Sequence, residues 1–300
     1  MGLSFGSGPA PVSCDTFPPP RGPVVVVGAG TMGHGIAHVS AVAGFETRLF
    51  DVDAAARLRG LALIEANLDR GVELGKLEPA ARNAALDLLS ETGDPAEAGA
   101  GAELVIEAVP EDLDLKRRVL AEFAAHVGTE AILGSNTSSL SISRIGEGVP
   151  GPERLVGLHF FNPVHIMSLV EIVRGDRTAE RVVERARSFV EAVGKEPIVV
   201  NDSPGFASSR LGVAIGLEAI RMLESGVASA HDIDRAMELG YRHPMGPLRL
   251  TDLVGLDVRL RIARYLHSEL GERFRPPALL ERMVEEGKLG RKTGQGFYSW

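Results

Sequence analysis

Apolar and polar positions follow two different periods along the first two thirds of the chain. Short runs rich in Val, Ile and Leu, such as "PVVVVGAG" and "AELVIEAVP", are typical of strands buried on both faces. Between these runs lie longer stretches with apolar residues every three or four positions, which predict helices. Strand and helix alternate from residue 23 to about residue 200, so we predict an α/β fold with a mostly parallel sheet and helices on both faces.

The pattern changes at "NDSPGF" (201–206), beyond which only helical periodicity is found. We therefore predict a first domain over 23–201, with a helical insertion over 54–90, and an all-α C-terminal domain over 202–300. The helices predicted for the second domain span 206–224, 229–239, 247–269 and 276–287.

Residues 1–22 are rich in Pro, Gly and Ser and lack the basic and apolar regions of a secretory signal, so we expect a flexible extension. The one cysteine, Cys14, excludes an intrachain disulfide and favours a reducing compartment, the cytoplasm. A net charge of −8 argues against nucleic acid or an anionic membrane surface as the partner. No run approaches the roughly 20 apolar residues that a membrane span requires.

The segment "GAGTMG" places three glycines directly after the first predicted strand and at the start of the first helix. Gly28 permits a tight turn, Gly30 lets a pyrophosphate approach the backbone, and Gly33 allows close packing of helix on strand. Thr31 and Met32 complete the turn, and the helix N-terminus supplies amides to a phosphate. The context predicts a Rossmann-type domain that binds a dinucleotide, and no metal is expected.

An acidic residue ends the second predicted strand, 21 residues after Gly30. The carboxylate of Asp51 can accept hydrogen bonds from both ribose hydroxyls and would repel a 2′-phosphate, so the predicted cofactor is NAD. Asp53 competes for this role, but it lies beyond the strand end and is better placed as a helix N-cap.

Two titratable residues stand in the apolar stretch "GLHFFNPVHIMSLVEIV" at its predicted strands. If "FNPVHIM" forms a turn, the strands run antiparallel and bring His159 close to Glu171. A carboxylate on one imidazole nitrogen makes the other nitrogen a better base, as hydride removal from an alcohol requires. The alternative is a pair of satisfied structural polar groups. The hydroxyl-rich segment "GSNTSSLSI" also has two interpretations. It is either a loop that polarises a substrate oxygen or a helix N-cap.

The chain resembles the 3-hydroxyacyl-CoA dehydrogenases, especially short bacterial 3-hydroxybutyryl-CoA dehydrogenases of fatty acid metabolism, over about residues 23–300. The motifs that carry this resemblance are "VGAGTMGHGIA", "VIEAVPEDLDLKRRVL", "SNTSSLSI", "GLHFFNPVHIMSLVEIV", "DSPGF", "HPMGPLRLTDLVGLD" and "GRKTGQGFYSW". The resemblance implies reversible oxidation of an (S)-3-hydroxyacyl-CoA to a 3-oxoacyl-CoA with NAD. It also implies a homodimer formed through the C-terminal helical domain.

The resemblance further assigns roles to individual residues. His159 is implied to be the base for the 3-hydroxyl, with Glu171 as its partner. Ser138 is implied to contact the substrate oxygen and the nicotinamide region, and Asn162 the nicotinamide and substrate end. Positions near the cofactor are Glu111, Lys116 and Lys292, and candidates for coenzyme A on the helical insertion are Asn67 and Lys76, although Lys76 also fits an ordinary surface lysine.

One position departs from the pattern of some family members, which carry an asparagine three residues after "PGF". Here "GFASSRL" places Ser209 at that position, and a serine is shorter, so a substrate contact there is direct or through a bridging water. Two other functions remain open from the sequence: a sugar-acid dehydrogenase of the L-gulonate type, without CoA, and a catalytically silent NAD(H)-binding protein. The acyl chain length is also open, with butyryl, longer and adipyl-type chains all compatible.

Overall fold

The computed structural model describes residues 18–300, so most of the predicted N-terminal extension, with Cys14, lies outside the described residues. The chain divides into two compact units. Within the described part, the first comprises residues 18–137 and 141–202, and the second comprises Ser138–Leu140 and Ser203–Trp300. The division after residue 202 falls one residue beyond the predicted boundary, and a segment of three residues from the middle of the chain joins the second unit.

The first unit is built on one eight-stranded sheet with the strand order β3-β2-β1-β4-β5-β6-β7-β8. All neighbouring strands run parallel except β6 and β7, which are antiparallel. The predicted α/β fold with a mostly parallel sheet is therefore confirmed. The strands are β1 (Val24–Val27), β2 (Thr47–Phe50), β3 (Leu89–Thr92), β4 (Leu104–Glu107), β5 (Ile132–Ser135), β6 (Leu155–Phe160), β7 (Leu169–Arg174) and β8 (Glu196–Asn201).

Seven helices accompany this sheet, and several begin at an acidic or hydroxyl N-cap. Asp53, Asp94, Asp112 and Ser141 each accept a hydrogen bond from a backbone amide two or three residues ahead, which satisfies a donor that the helix itself leaves unpaired. The helices are α1 (Gly33–Val42), α2 (Ala54–Glu73), α3 (Pro79–Asp87), α4 (Pro95–Gly99), α5 (Leu113–His126), α6 (Ile142–Gly146) and α7 (Glu180–Ala192).

The helical insertion predicted over 54–90 is wrong at its C-terminal end. Helix α3 ends at Asp87, and the chain then forms β3 with the sequence "LSET", of which only Thr92 is buried. This strand lies at the sheet edge and pairs only with β2. A four-residue edge strand with one buried side chain has no run of apolar residues, so periodicity does not reveal it.

The core of the first unit is made by aliphatic side chains from the sheet and from the helices packed on it. Burial of these side chains is the main favourable contribution to folding. Glycine at position 35 of α1 matters to this packing, because a Cβ there would lie 2.8 Å from the side chain of Val164. Fully buried members of the core include Val24, Val26, Ile36, Leu49, Ile64, Leu104, Ile106, Ile132, Leu158, Val170, Ile172 and Phe189.

The second unit is helical, as predicted, but the single helix expected over 247–269 is wrong. The structure has two helices there, separated by Gly255, whose φ of +99° lies where glycine is favoured. A Cβ at Gly255 would also lie 3.0 Å from the carboxylate of Asp257. The helices are α8 (Ser208–Glu224), α9 (Ala230–Tyr241), α10 (Pro247–Val254), α11 (Leu256–Leu270) and α12 (Ala278–Glu285).

Two buried carboxylates organise the second unit around its apolar core. Asp252 accepts hydrogen bonds from the C-terminal segment, and Asp234 accepts two from the first turn of α10. The donors to Asp252 are Phe297 N, Tyr298 N and Trp300 Nε1, each at 2.9 Å. None of the helices in residues 18–300 is long and apolar enough to cross a membrane.

Candidate active site

The glycine turn after β1 has the geometry that its spacing predicts. Gly28 has a φ of +103°, and a Cβ there would lie 2.9 Å from the carbonyl oxygen of Ala108. A Cβ at Gly33 would collide with the carbonyl oxygen of Gly28. At Gly30 a Cβ would meet nothing within 4 Å. Two glycines are thus required by close approach of the backbone, and the third leaves open space above the turn, where a pyrophosphate fits.

A cavity of about 570 Å³ lies beside this turn, within the usual range of small-molecule sites. One wall is apolar, from Phe50, Val109 and Leu115, and Asp51 contributes a carboxylate. The lining residues of the turn are Gly28, Gly30, Thr31 and Met32. An apolar wall with one carboxylate suits a base and a ribose, so the residues present fit the adenosine part of a dinucleotide.

Asp51 is held in place by the backbone around it. One carboxylate oxygen accepts from Ala29 N at 2.8 Å, and the other accepts from Asp53 N at 3.0 Å. Each oxygen keeps a further lone pair for a ligand. Asp53 instead accepts from Ala55 N at 2.9 Å and caps α2, so its predicted role as N-cap is confirmed.

A buried polar network lies at the C-terminal end of β4. Lys116, 1% exposed, donates to both carboxylate oxygens of the fully buried Glu107, at 3.0 Å each. Ser135 donates to the same carboxylate, and Lys116 also contacts Glu111 at 3.3 Å. Burial raises the pKa of Glu107 to about 6, and the ammonium of Lys116 opposes this shift. Glu111 in turn accepts from the hydroxyl of Thr137 at 2.7 Å.

This network places two residues that the resemblance puts near the cofactor. The ammonium of Lys116 is buried and surrounded by protein oxygens, among them a carboxylate oxygen of Glu111. This position suits a residue that holds Glu111 in place. The side chain of Glu111 is 24% exposed. Their contact with a cofactor stays a prediction, with Glu111 the better placed of the two.

His159 and Glu171 occupy directly opposed positions on the antiparallel strands β6 and β7, as the turn at "FNPVHIM" predicts. The Nδ1 atom of His159 lies 2.7 Å from a carboxylate oxygen of Glu171. His159 is 6% exposed and Glu171 fully buried. The predicted pairing is therefore confirmed as a geometric fact.

The contact bears on which imidazole nitrogen carries the proton. An ionised carboxylate accepts and cannot donate, so with Glu171 ionised the proton lies on Nδ1 of His159. Phe161 lies against the imidazole with ring centroids 4.4 Å apart. The main chain beside His159 is fixed by the buried Asn136, whose side-chain oxygen accepts from Phe160 N at 2.9 Å.

The loop after β6 contains Asn162, which is exposed and precedes Pro163 through a cis peptide bond. His165, also in this loop, stacks on His38 of α1 with ring centroids 5.6 Å apart. Burial lowers the pKa of His38 to about 4, so this imidazole is neutral near pH 7. The candidates for coenzyme A on the helical insertion are the half-buried Asn67 on α2 and the exposed Lys76 in the turn that follows α2.

Two predicted substrate residues, Ser138 and Ser209, lie in the second unit. The hydroxyl of Ser209, in the first turn of α8, donates to the backbone oxygen of Ser138 at 3.2 Å. The structure therefore brings these two residues together. Lys292, predicted near the cofactor, forms an ion pair with Asp257 at 2.5 Å within the same unit.

Glu107 was not singled out from the sequence, and Ser135 and Asn136 were considered only as part of the segment "GSNTSSLSI". The available signal was a lone carboxylate inside the buried run "AELVIEAVP", since an ionised group in a central strand requires a partner. The partner, Lys116, lies nine residues further on, and only the packing of α5 on the sheet brings the two together.

Comparison with known proteins agrees with this geometry. Residues 23–203 match the model of the 3-hydroxyacyl-CoA dehydrogenase NAD binding domain, and residues 205–300 match the C-terminal domain of the same family. A 3-hydroxybutyryl-CoA dehydrogenase of Mycobacterium tuberculosis is 45% identical over 280 residues, covering 92% of this chain and 98% of that protein.

Two further relatives extend the comparison. A 3-hydroxyadipyl-CoA dehydrogenase of Escherichia coli is 40% identical over 279 residues, covering 92% of this chain and 58% of the relative. The crystal structure of (S)-3-hydroxybutyryl-CoA dehydrogenase from Ralstonia eutropha has a TM-score of 0.89 and 39% identity, covering 93% of this chain and 98% of that one. The chain belongs to the 3-hydroxyacyl-CoA dehydrogenase family, and its first unit is the NAD-binding domain of that family.

Proposed function

We propose that the protein catalyses the reversible, NAD-dependent oxidation of an (S)-3-hydroxyacyl-CoA, such as 3-hydroxybutyryl-CoA, to the 3-oxoacyl-CoA. The observation that carries this proposal is the 2.7 Å contact between His159 Nδ1 and Glu171, on buried strands of an NAD-binding domain. Membership of the family and the names of the relatives support the same reaction.

The proposed chemistry divides between the cofactor and the imidazole. NAD, when bound, would supply the acceptor for the hydride of the substrate's C3. His159 Nε2 takes the proton of the 3-hydroxyl, so that the C–H and O–H bonds break while a C=O bond forms. Glu171 holds the ring in the tautomer with a basic Nε2 and stabilises the imidazolium that results. In the reverse direction the imidazolium returns the proton to the substrate oxygen.

Two serines are proposed to contact the substrate oxygens. The hydroxyl of Ser138 is assigned to the 3-oxygen, where a donor stabilises the charge that develops as the proton leaves. Ser209 donates to the backbone of Ser138, which supports a role in orienting that residue. Its substrate contact is then direct or through a water, as a side chain shorter than asparagine allows.

Cofactor and coenzyme A contacts complete the proposal. Asp51 is assigned to the ribose of NAD, with Glu111, Asn162 and Lys292 further along the cofactor. Asn67 and Lys76 are the candidates for coenzyme A on the helical insertion. One relative is named for a four-carbon monoacid substrate and another for a six-carbon diacid substrate. The relatives' names therefore do not determine which acyl group this protein prefers.

The decisive experiment uses the purified variants His159→Gln and Glu171→Gln with acetoacetyl-CoA and NADH. We expect His159→Gln to lower kcat by roughly 10²- to 10⁴-fold, because the proton donor and acceptor is lost. Glu171→Gln should lower kcat less, because an amide still fills the site but stabilises the imidazolium poorly. NADH binding, followed by its fluorescence, should stay within about twofold for both variants.

His165→Gln is the matched control, because His165 is an exposed histidine six residues from the proposed base. It should keep near wild-type turnover. Near wild-type kcat in His159→Gln would remove the assigned role of His159. A wild-type enzyme that shows no saturable binding of acetoacetyl-CoA would instead favour the sugar-acid dehydrogenase.

A homodimer through the second unit is part of the same proposal. Large apolar side chains are exposed on three consecutive helices of this unit. The exposed residues are Leu211 and Ile215 on α8, Leu239 and Tyr241 on α9, and Leu250, Leu253 and Val254 on α10. Because water-exposed apolar surface of this kind marks an interaction site, a second copy is the proposed cover. The cytoplasm is the proposed location, on the expectation from a single cysteine.

Sedimentation of Leu211→Glu and of the double variant Leu211→Glu with Leu253→Glu tests the dimer. We expect the wild type to sediment as a dimer and the double variant as a folded monomer, since burial of two carboxylates in an interface is unfavourable. A wild-type protein that is monomeric at micromolar concentration would overturn the proposal.

A further inference from the structure

Arg259, on α11 of the second unit, is a buried cation. It is 5% exposed, and its Nε has no hydrogen-bond partner among residues 18–300. No carboxylate of the described chain forms an ion pair with it. Burial lowers the pKa of Arg259 to about 10, so it still carries its charge at neutral pH. An isolated ion is costly to remove from water, which raises the question of what compensates it.

The buried carboxylates of the same unit do not serve this purpose. Asp234 and Asp252 are each filled by donors from other segments, and the half-buried Asp257 is paired with Lys292. The donors to Asp234 are Leu248 N, Arg249 N and the hydroxyl of Tyr298, and those to Asp252 come from the C-terminal segment. The anion that would match Arg259 is therefore absent from the described residues.

Two glycines on α8 make room for the guanidinium. A Cβ at Gly216 would lie 3.7 Å from Arg259 Nε, and a Cβ at Gly212 would lie 3.5 Å from its Nη1. Glycine is the least favourable helix-interior residue after proline, so this pair is present at a cost to the helix. The distances also show the direction of the side chain, which runs from Gly216 toward Gly212 and thus toward the N-terminal half of α8.

Ser209 lies on the same face of α8 as these glycines. The spacing from Ser209 to Gly212 and Gly216 is three and seven residues, which places them in one stripe of the helix. Three residues correspond to about 5 Å along the helix axis. The hydroxyl of Ser209 contacts the backbone of Ser138, the residue assigned to the 3-oxygen of the substrate. The guanidinium therefore points along α8 toward the proposed position of the acyl group.

We propose that Arg259 determines substrate specificity by binding a carboxylate at the far end of the acyl chain. The preferred substrates are then 3-hydroxyacyl-CoA esters of dicarboxylic acids. In a six-carbon diacid the terminal carboxylate lies three bonds beyond C3, a span comparable to the separation of Ser209 and Gly212 along α8. An Arg–carboxylate contact is charge-assisted and directional, so it discriminates a carboxylate from a methyl group. This inference rests on the proposed dehydrogenase function.

The test compares two substrates of equal chain length, (S)-3-hydroxyadipyl-CoA and (S)-3-hydroxyhexanoyl-CoA, by kcat/KM from NADH formation. We expect the wild type to prefer the diacid at least about tenfold, as a hydrogen bond to a charged group predicts. Arg259→Met should remove this preference by lowering the diacid's kcat/KM relative to that of the monoacid. Arg259→Lys should fall between, because it keeps the charge and loses the planar fork.

Arg261→Met is the matched control, since Arg261 lies on the same helix two residues away and is exposed. It should keep the wild-type ratio. Equal kcat/KM for the two substrates in the wild type would overturn the inference and leave the proposed function standing. A wild type that oxidises neither ester would end both. Loss of the dimer in Arg259→Met, with the substrate ratio unchanged, would overturn the inference by showing that Arg259 is a subunit contact.

Discussion

The buried carboxylates of the first unit each contact a basic side chain, whereas in the second unit the buried carboxylates and the buried cation form no ion pair with one another. In the first unit Lys116 contacts Glu107 at 3.0 Å and His159 contacts Glu171 at 2.7 Å. In the second unit Asp252 is satisfied by backbone amides and an indole, and the Nε atom of Arg259 has no hydrogen-bond partner among the described residues.

The difference follows from the kind of structure that surrounds each charge. In a sheet most backbone amides are used by the ladder, so a carboxylate buried in a strand depends mainly on side-chain donors. Glu107 accepts from Lys116 and Ser135 and from one backbone amide, Val109 N. Helix N-termini and the irregular C-terminal segment leave amides unused, and these can satisfy a carboxylate without any cation. A buried cation can be satisfied by backbone carbonyl oxygens, as Arg154 of the first unit is by those of Gly128 and Ala124. The Nε atom of Arg259 has no such acceptor among the described residues.

Breaking the central pair of the first unit should have the largest effect on stability. Lys116→Met leaves Glu107 buried without its cation, and we expect a loss of about 3–5 kcal/mol in the free energy of unfolding at pH 7, measured by urea denaturation. Burial already raises the pKa of Glu107 above its ordinary value, and removal of Lys116 raises it further. The loss should therefore shrink as the pH falls through the higher pKa that Glu107 has in the variant, and it should level off below about 6, where Glu107 is protonated in both folded proteins.

Two further variants test whether the loss of stability comes from an uncompensated buried charge. The double variant Lys116→Met with Glu107→Gln should recover part of the lost stability, because no uncompensated charge remains. Arg264→Met breaks the exposed pair of Arg264 and Glu281 and should change stability by less than about 1 kcal/mol. If Arg264→Met proved as costly as Lys116→Met, burial would not be the reason for the effect.

Replacing the buried carboxylate of Asp252 in the second unit should have the next largest effect on stability. Asp252→Asn keeps the size of the side chain but replaces one acceptor oxygen by an NH₂ group that faces a donor. We expect a loss of about 2–3 kcal/mol, measured by thermal and urea unfolding, because at least one charged hydrogen bond is lost and a donor is left unpaired.

The exposed Glu285 provides the control for this change. Glu285→Gln removes the same charge from the surface and should leave the unfolding midpoint unchanged. An unchanged midpoint in Asp252→Asn as well would mean that the C-terminal segment contributes little to stability, contrary to the contrast between the two units.

His38 gives the smallest expected effect and sharpens the comparison, because it is a buried titratable group of the first unit without an acidic partner. Burial lowers its pKa from 6.5 to about 4. Below pH 6.5 the unfolded chain binds a proton that the folded chain does not, so stability falls as the pH drops from about 6.5 to about 4. Between pH 7 and pH 5 the loss from this group is about 2 kcal/mol. The neighbouring groups that add to the shift are His165, His34 and Lys195.

Urea denaturation between pH 7 and pH 5 measures this effect. His38→Gln should be less dependent on pH over that interval, and the exposed His231→Gln should retain the wild-type dependence. If the free energy of unfolding depended equally on pH in all three proteins, His38 would be protonated in the folded state, against the direction of its pKa shift.

The site of the first unit was the more predictable part of the molecule. The signals for this site are local in the sequence: the glycine turn, Asp51, and the pair of His159 and Glu171. Each lies within or at the end of a strand, and the apolar run of that strand predicts it. The antiparallel register follows from the length of the turn between β6 and β7, and the structure has that register. Short edge elements such as β3 were missed, because four residues carry too little pattern.

The second unit was less predictable in detail. The break at Gly255 was missed, since an isolated glycine in a helical pattern does not reveal its φ. The transfer of Ser138–Leu140 to this unit was also missed, because these residues are separated from it by 62 intervening positions along the chain (141–202). The burial of Arg259 was not foreseen either, since arginine is ordinarily an exposed residue.

The amino-acid sequence by itself determined the class of fold, the dinucleotide turn and the pairing of His159 with Glu171, because these depend on residues close together in the chain or on regular periodicity. Only the tertiary structure decided which buried charges are neutralised and by what: Glu107 by Lys116, Asp252 by the C-terminal segment, and Arg259 by no described residue. The physical reason is that the partner of a buried polar group is set by which segments pack together, and composition and spacing do not contain that information.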